Sequence, residues 1–276
     1  MFQSQPVRNY TEIFNQRGEL YHRAMMAQPN ARRAEFERIV QLSDLQSGQL
    51  IADMPSGGGY LRAFIPDDVR LVAVETASPF LQQNDLPRNQ KLAEEQGGAP
   101  EWNRDFSSDS QLLCSDLSQI PLPDKTFDRV LSLAGAHHLP DLDKFCREVR
   151  RLLKPGGTFV LADVLENSRA AQYLNQWVDA HNSMGHQGIF LNQFTPEAVE
   201  NCGFEINFAA PKAYHWEFDS EAEMISYCRS LFGLDLADDA QILEGLQTVL
   251  GVEKYGACCR MNWELMFISA TKTASN

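Results

Sequence analysis

Three acidic residues follow short apolar runs and stand beside a glycine-rich turn. Asp53 lies at the end of the run QLIADM and precedes the turn PSGGG (55–59), Glu75 lies at the end of VRLVAVET, and Asp116 closes QLLCSD. Where such runs form parallel strands, their carboxyl ends meet at one edge of the sheet, and open α/β sheets bind ligands there. Carboxylates accept hydrogen bonds from neutral or cationic groups and repel phosphates. The three acids therefore predict a ligand that has a ribose and an amine and no phosphate.

The glycine turn also limits the ligands that this edge can hold, because its backbone N–H groups approach the ligand closely. The dinucleotide-binding fingerprint G-x-G-x-x-G, if it began at Gly57, would require a small residue at position 62, where the sequence has Arg62. A nicotinamide oxidoreductase is therefore the weakest of the alternatives that we keep open.

The elements that must position these residues alternate along the chain. Apolar runs predict strands at residues 49–54, 69–76, 111–116, 127–135 and 158–164, with a further strand at WELMFISATK (263–272). Two helices are expected before the first strand, at 10–26 and 31–42, and one follows Asp141 and stops before Pro155. The polar stretch 82–110 predicts a helix and a loop near the site. Alternating strands and helices predict an α/β fold with a parallel sheet.

These motifs resemble the class I S-adenosylmethionine-dependent methyltransferases, in particular the type 11 branch that shares a methyltransferase domain of the ubiquinone/menaquinone-biosynthesis kind. DMPSGGG is similar to the first motif D-x-G-x-G-x-G, and VAVET supplies the acid of the second strand. CSDLSQIPLPDKTFDRVLSLAGAHHLPD and EVRRLLKPGGTFVLADV are similar to the later motifs. The resemblance covers about residues 48 to 164. Pro55 departs from it, because it replaces the first glycine and removes one backbone N–H.

The resemblance implies a three-layer, Rossmann-like, doubly wound α/β sheet of seven strands, the last antiparallel, with helical cap insertions. Residues 1–47 would form N-terminal helices that cover the cofactor site. Residues 48–164 would form the S-adenosylmethionine-binding core. Residues 165–276 would supply cap helices and C-terminal strands that complete the same domain.

The resemblance also implies the cofactor, S-adenosyl-L-methionine, with S-adenosylhomocysteine as the product. Asp53 and the backbone of the turn would hold the methionine end, Glu75 would accept hydrogen bonds from the ribose hydroxyls, and Asp116 with the Leu117 amide would bind the adenine. The cofactor-binding positions expected on this basis are Tyr21, Asp53, Pro55, Gly57, Gly58, Gly59, Glu75, Thr76, Ser115, Asp116, Leu117, Leu133 and Ala134.

Histidines are the candidate catalytic residues. Methyl transfer from a sulfonium depends mainly on alignment and desolvation, and a base matters only for a hydroxyl or ammonium acceptor. His137 and His138 follow the fourth strand, where the acceptor would lie, and either is a candidate base. The alternative is that one of them packs under the following helix or bonds Asp141 and shapes the turn. His181 and His186 are substrate contacts or surface residues.

We expect no metal site. The histidine pair and Asp163 lack the paired acidic pattern of a catechol-type metal centre, and the adjacent Cys258 and Cys259 are more often packing residues. Aromatic residues in the inserted segments predict either the wall of an acceptor pocket or the core of the cap. They are Trp102, Phe106, Trp177, Phe190, Phe194, Trp216 and Phe232.

Composition limits the partners. A formal net charge of -13 without a basic cluster argues against nucleic acid. No apolar run approaches the ~20 residues of a membrane span. The N-terminus lacks the apolar centre of a signal peptide, and the six cysteines include no C-x-x-C pair, which predicts a cytoplasmic protein with reduced thiols. We expect a monomer or homodimer.

Together these features predict methyl transfer from S-adenosylmethionine to a small apolar or aromatic metabolite by in-line displacement, with O, N and C acceptors unranked. A methyltransferase acting on a macromolecule, either RNA or a carrier protein, is the first alternative. A non-catalytic S-adenosylmethionine-binding protein of the same fold is the second, because Pro55 alters the first motif.

Overall fold

The computed structural model describes residues 10–81 and 110–273, and its centre is a mixed sheet. Its strands are β1 (Leu50–Asp53), β2 (Arg70–Glu75), β3 (Ser110–Cys114), β4 (Phe127–Leu133), β5 (Leu153–Asp163), β6 (Phe204–Phe218), β7 (Val252–Tyr255) and β8 (Cys258–Lys272). The strand order is β3-β2-β1-β4-β5-β8-β6, and β7 pairs with β8 outside this path. Strands β1 to β5 are parallel, and β8 runs antiparallel to β5 and β6.

This topology confirms the predicted seven-stranded doubly wound sheet with an antiparallel last strand. From β1 the strand order continues to β2 and β3 on one side and, after the chain crosses over, to β4 and β5 on the other. The order therefore reverses between β1 and β4, which is where such sheets bind ligands. Two features differ from the expectation. Strand β7 was not predicted, and β6 extends to Phe218 because it pairs with β8 along most of its length.

Helices cover both faces of the sheet. They are α1 (Tyr10–Ala27), α2 (Arg33–Ser43), α3 (Ser78–Leu81), α4 (Leu142–Leu152), α5 (Arg169–Gln172), α6 (Asp179–His181), α7 (Thr195–Asn201), α8 (Glu221–Phe232) and α9 (Asp239–Gly245). π-helical turns at Tyr173–Val178 and Leu246–Leu250 follow α5 and α9. The helix and loop expected between the second and third strands fall mainly at residues 82–109, outside the described residues, as do Trp102 and Phe106.

Two large apolar clusters form most of the core, and a smaller third one joins α1 to Phe80. Phe36 and Ile39 of α2 belong to one cluster, and Phe145 and Val149 of α4 belong to the other. Helix α4 begins as predicted, because the Asp141 carboxylate accepts the Lys144 N–H. None of the helices in 10–81 and 110–273 combines the length and apolar character that crossing a bilayer requires. The five cysteines whose side chains are described are free thiols.

A buried ionic cluster ties the N-terminal helices to the C-terminal strands. The Glu35 carboxylate accepts a hydrogen bond from the Trp216 indole and pairs with the Arg32 guanidinium at 2.7 Å. Glu35 is fully buried, and the Arg32 guanidinium also donates to the Tyr21 hydroxyl. Loss of one member of such a buried pair leaves its partner uncompensated, which is strongly destabilising.

Glu35→Ala should therefore lower the free energy of unfolding by about 3–5 kcal/mol, the range measured when a buried pair loses one member. Urea unfolding followed by circular dichroism measures it. The matched control is Glu37→Ala on the same helix, whose exposed pair with Arg33 should contribute no more than about 0.5 kcal/mol. Equal losses from the two variants would show that the cluster does not tie the helices to the strands.

Candidate functional site

The first cavity lies at the reversal of strand order, between the ends of β1 and β4. It encloses about 480 Å³, which includes space open to solvent. Its wall comprises Tyr10, Phe14, Tyr21, Arg32, Phe36, Asp53, Pro55, Ser56, Gly57, Tyr60, Leu61, Phe80, Leu133, Ala134 and Gly135. Helices α1 and α2 thus cover the ends of the strands.

The Glu75 carboxylate, at the tip of β2, holds the glycine turn. One carboxylate oxygen accepts the N–H of Gly57 at 2.7 Å, and the other accepts the N–H groups of Thr76 and Ala77 at 2.8 Å. Gly57 has a φ of 54°, in the left-handed region where glycine is favoured. Burial raises the pKa of Glu75, and these hydrogen bonds act in the opposite direction. The prediction that Glu75 lies beside the turn agrees with this geometry.

Tyr10 covers Glu75 from the start of α1. Its hydroxyl donates to the Glu75 carboxylate at 2.9 Å, and the residue is buried. Burial, followed by repulsion from Glu75, raises the pKa of Tyr10 well above its usual value, so the hydroxyl stays protonated. Tyr10 therefore makes the hydrogen bond that a ribose hydroxyl would make to the same carboxylate.

Asp53 is a buried carboxylate on the cavity wall, and only 3% of it is exposed. Among the described residues it has no cationic side chain within ion-pair distance. Burial, followed by repulsion from Glu75, raises the pKa of Asp53 well above its usual value. Such a carboxylate is stabilised by a cationic group placed against it. The cavity therefore suits a ligand with an ammonium or sulfonium group.

Pro55 is accommodated by a glycine at the end of β4. The ring of Pro55 packs against Gly135, where an added Cβ would lie 2.4 Å from the Pro55 Cγ. The Met54–Pro55 peptide bond is cis. Gly135, which has no side chain, therefore leaves room for the ring of Pro55.

The expected cofactor-binding positions divide into two groups. Six of them lie on the wall of the first cavity: Tyr21, Asp53, Pro55, Gly57, Leu133 and Ala134. The others, Gly58, Gly59, Glu75, Thr76, Ser115, Asp116 and Leu117, are not part of this wall. The Asp116 carboxylate is exposed and accepts hydrogen bonds from the backbone N–H and hydroxyl of Ser118, which lower its pKa. Leu117 is buried below it.

A second cavity, of about 530 Å³, adjoins the first. The two share Phe14, Tyr21, Arg32 and Ala134. The rest of the second wall comprises Arg17, His137, His138, Val164, Leu174, His186, Trp216, Leu231, Phe232 and Trp263. Most of these residues are apolar or aromatic.

Three histidines meet on one side of the second cavity. His137 Nδ1 lies 2.7 Å from the buried Asp163 carboxylate, which also accepts the His137 backbone N–H. His186 Nδ1 lies 2.9 Å from the Asn175 side-chain oxygen. Burial, followed by neighbouring positive charge, lowers the pKa of His138 and His186 well below the usual value. The alternative in which a histidine bonds Asp141 is wrong, because His137 bonds Asp163 and Asp141 caps α4.

The histidine cluster offers a possible set of metal ligands, since ligand atoms of His137, His138 and His186 lie within 4.8 Å of one another. Tetrahedral zinc with Zn–N distances of 2.0–2.1 Å needs nitrogens only about 3.4 Å apart, so the rings would have to approach each other. The Arg17 guanidinium also contributes positive charge that lowers the pKa of His138 and His186. The spacing of these nitrogens and the nearby positive charge of Arg17 therefore disfavour a metal centre in this arrangement.

The remaining residues named from the sequence lie elsewhere. His181 stacks on Trp177 with ring centroids 4.1 Å apart and is not part of either cavity wall. Trp216 and Phe232 line the second cavity, and the Phe190 ring lies 5.8 Å from that of His137. Phe194 is exposed.

Of the α1 residues at the site, only Tyr21 was expected from the sequence, and Tyr10, Phe14 and Arg17 were not. Tyr10, Phe14, Arg17 and Tyr21 follow the spacing i, i+4, i+7, i+11, which places them on one face of the helix. All four line one or both cavities. The signal in the sequence that indicates this face is Arg17, which lies at helical spacing among the aromatic residues Tyr10, Phe14 and Tyr21.

The contact between Pro55 and Gly135 can be tested directly. Gly135→Ala should cost about 1–3 kcal/mol of stability through overpacking, because its φ of -139° suits any residue and the clash is purely steric. Combining it with Pro55→Gly should remove most of that cost. A double-mutant cycle by urea unfolding measures the coupling. Additive effects of the two substitutions would contradict the contact.

Comparison with known proteins agrees with this site. Residues 53–161 match the sequence profile of a family described as a methyltransferase domain. The chain is 32% identical over 66 residues to sterol 4-C-methyltransferase strm-1 of Caenorhabditis elegans, a match covering 24% of this chain and 20% of that protein. It is 30% identical over 120 residues to the ubiquinone/menaquinone biosynthesis C-methyltransferase UbiE of Caulobacter sp. (strain K31), covering 42% of this chain and 44% of that protein.

The chain spans between one fifth and slightly more than one half of the length of the first curated relatives that it matches. Among solved structures it is similar to geranyl diphosphate C-methyltransferase from Streptomyces coelicolor A3(2), in complex with Mg2+, geranyl diphosphate and S-adenosyl-L-homocysteine. The TM-score is 0.54 at 12% identity, over 88% of this chain and 79% of that chain, and this likeness shows the fold. The sheet topology agrees with the matched profile, so residues 53–161 are similar in sequence and in fold to a methyltransferase domain.

Proposed function

We propose that the protein binds S-adenosylmethionine in the first cavity and transfers its methyl group to a small apolar acceptor in the second. The observation that carries this proposal is the shared wall of the two cavities, formed by Phe14, Tyr21, Arg32 and Ala134. A donor and an acceptor in adjoining cavities can approach in line, and both are covered by α1. The specific acceptor and the atom methylated are left open.

The residues of the first cavity fit the cofactor. The Asp53 carboxylate would bind the amine of the methionine portion, and Leu133 and Ala134 would line its side. Glu75 would accept the ribose hydroxyls once the Tyr10 hydroxyl moves aside. Asp116 with the Leu117 amide would bind the adenine. When bound, S-adenosylmethionine supplies a methyl group on a positively charged sulfur, and such a group needs alignment and exclusion of water.

The second cavity supports an apolar acceptor because Trp216, Phe232 and Trp263 form much of its wall. The names of two relatives above refer to a sterol and to quinone biosynthesis. A buried acceptor cavity and a net charge of -13 also favour a small molecule over RNA. As expected from the sequence, we also propose a cytoplasmic location and a monomeric or homodimeric state.

A histidine of the second cavity would accept any proton that the acceptor releases. Because its pKa is lowered by burial, His138 is neutral near pH 7 and able to accept a proton from a hydroxyl or ammonium acceptor. The Asp163 carboxylate fixes the ring of His137. His138 is therefore the proposed base, with His137 beside it at a ring-centroid distance of 4.1 Å.

Calorimetric titration of the protein with S-adenosylhomocysteine tests the donor site, and mass spectrometry of the purified protein tests for retained cofactor and acceptor. One bound S-adenosylhomocysteine per chain supports the proposal, and no binding contradicts it. Binding without methyl transfer to any acceptor, including one retained on purification, would favour the non-catalytic alternative.

The raised pKa of Asp53 makes cofactor binding depend on pH. The ammonium of S-adenosylhomocysteine requires ionised Asp53, so binding releases a proton whenever the pH is below the raised pKa. Affinity should therefore fall as the pH is lowered from 7 to 5, by up to about tenfold per unit. Asp53→Asn should bind more weakly at pH 7 and lose this dependence. A wild-type affinity that stays constant over this range would exclude Asp53 as the partner of the amine.

The contact between Tyr10 and Glu75 predicts competition with the ribose. Tyr10→Phe should tighten binding of S-adenosylhomocysteine by roughly 2- to 10-fold, because a hydrogen bond of about 0.5–1.5 kcal/mol no longer has to be broken. Tyr255→Phe is the matched control, since that tyrosine is exposed and bonds Glu253 far from the site. Weaker binding by Tyr10→Phe would mean that the hydroxyl supports the bound state.

A further inference from the structure

Arg17 is a buried cation on the wall of the second cavity, and only 8% of it is exposed. Its Nη2 donates to the backbone carbonyl of Leu231 at 2.8 Å, near the end of α8. Its Nε is buried without a hydrogen-bond partner. Among residues 10–81 and 110–273, no carboxylate lies within ion-pair distance of it. Gly233 makes room for the guanidinium, since a Cβ there would lie 2.4 Å from the Arg17 Nε.

Arg32 lies on the same cavity wall and, unlike Arg17, has a carboxylate partner. Its guanidinium pairs with the buried Glu35 carboxylate and also donates to Tyr21. Of the two arginines on this wall, the protein neutralises Arg32 internally, whereas Arg17 has, within the described part of the chain, only the Leu231 carbonyl as a hydrogen-bond acceptor. Asp235 influences the pKa of Arg17, but its carboxylate accepts hydrogen bonds from Ser183.

The charge on Arg17 persists at neutral pH. Burial lowers the pKa of Arg17 to about 10, so it remains protonated at pH 7. A buried charge without a partner of opposite sign is costly. The carbonyl end of α8 carries only about half of a negative charge, so it offsets the cost in part. An anion beside Arg17 would offset the rest.

The rest of the second cavity identifies the kind of anion. No acidic residue belongs to the described wall, and His138 and His186 on it are neutral near pH 7. Trp216, Phe232 and Trp263 supply aromatic surface around the polar side. One unpaired guanidinium matches a singly charged group better than a phosphate, which carries nearly two charges at pH 7.

We propose that the acceptor is a carboxylic acid with an apolar or aromatic body, and that its carboxylate pairs with Arg17 while its body packs against Trp216, Phe232 and Trp263. This inference rests on the proposed function, because it names the acceptor class of that site. The two cavities then have opposite requirements: Asp53 selects a cationic donor, and Arg17 selects an anionic acceptor.

Binding of matched acids and amides tests the inference. The probes are 3-phenylpropionate against 3-phenylpropanamide, and octanoate against octanamide, titrated calorimetrically with and without S-adenosylhomocysteine. Within each pair only the charge of the head group changes. The acid should bind at least about tenfold more tightly than its amide, as expected for a hydrogen-bonded charge pair.

Three variants locate the source of this preference. Arg17→Gln should reduce it to less than about twofold, because the charge is lost while a polar side chain is kept. Arg23→Gln is the matched control on the same helix, since Arg23 is exposed and pairs with Glu19, and it should keep the full preference. If Arg17→Gln does not fold, Arg17→Lys, checked by circular dichroism, should keep a preference that is weaker than that of the wild type.

Each outcome decides the inference separately from the proposed function. Equal binding of acid and amide, no binding of either, or a preference that survives Arg17→Gln overturns the inference. If S-adenosylhomocysteine still binds in those samples, the proposed function stands. Acid binding without any S-adenosylhomocysteine binding would support the anion site and overturn the proposed function.

Discussion

The arrangement of the site depends on the Glu75 carboxylate. It joins the glycine turn after β1, the chain after β2 and the start of α1 through four hydrogen bonds from Gly57, Thr76, Ala77 and Tyr10. Together with the packing of α1 against α3 and α8, these bonds position the turn and the helix that covers it. In the proposed function the same carboxylate would receive the ribose, so cofactor binding and the position of α1 would be linked through one side chain.

Two buried ionisable groups, neither of which has an oppositely charged partner in 10–81 or 110–273, give the cavities their chemistry. Asp53 lies in the first cavity and Arg17 in the second, and both are nearly inaccessible to solvent. Burying such groups without a partner costs free energy, so their presence indicates a role in binding. A cationic donor and an anionic acceptor would each recover part of that cost. Bringing the two ligands together would also place opposite charges near the shared wall at Ala134, which favours their approach.

Local sequence patterns predicted the sheet and the turn because their determinants are close in the chain. Strand-end acids beside a glycine turn imply where Asp53 and Glu75 lie, and the helical spacing in α4 sets its ends. The contacts that the sequence did not predict join segments that are far apart in the chain. Leu231, which receives the Arg17 hydrogen bond, is 214 residues away, and Trp216 is 181 residues from Glu35. His186 reaches the histidine pair only through the fold of the cap, and no local pattern indicates that Gly135 faces Pro55.

The most direct test of the central claim is a crystal structure of the protein with S-adenosylhomocysteine. The account predicts the nucleoside in the first cavity, with its amine at the Asp53 carboxylate, its ribose hydroxyls on Glu75 and the Tyr10 hydroxyl displaced from that carboxylate. A ligand bound elsewhere, or one bound in this cavity while Tyr10 still donates to Glu75 and Asp53 faces no cationic group, would contradict the account.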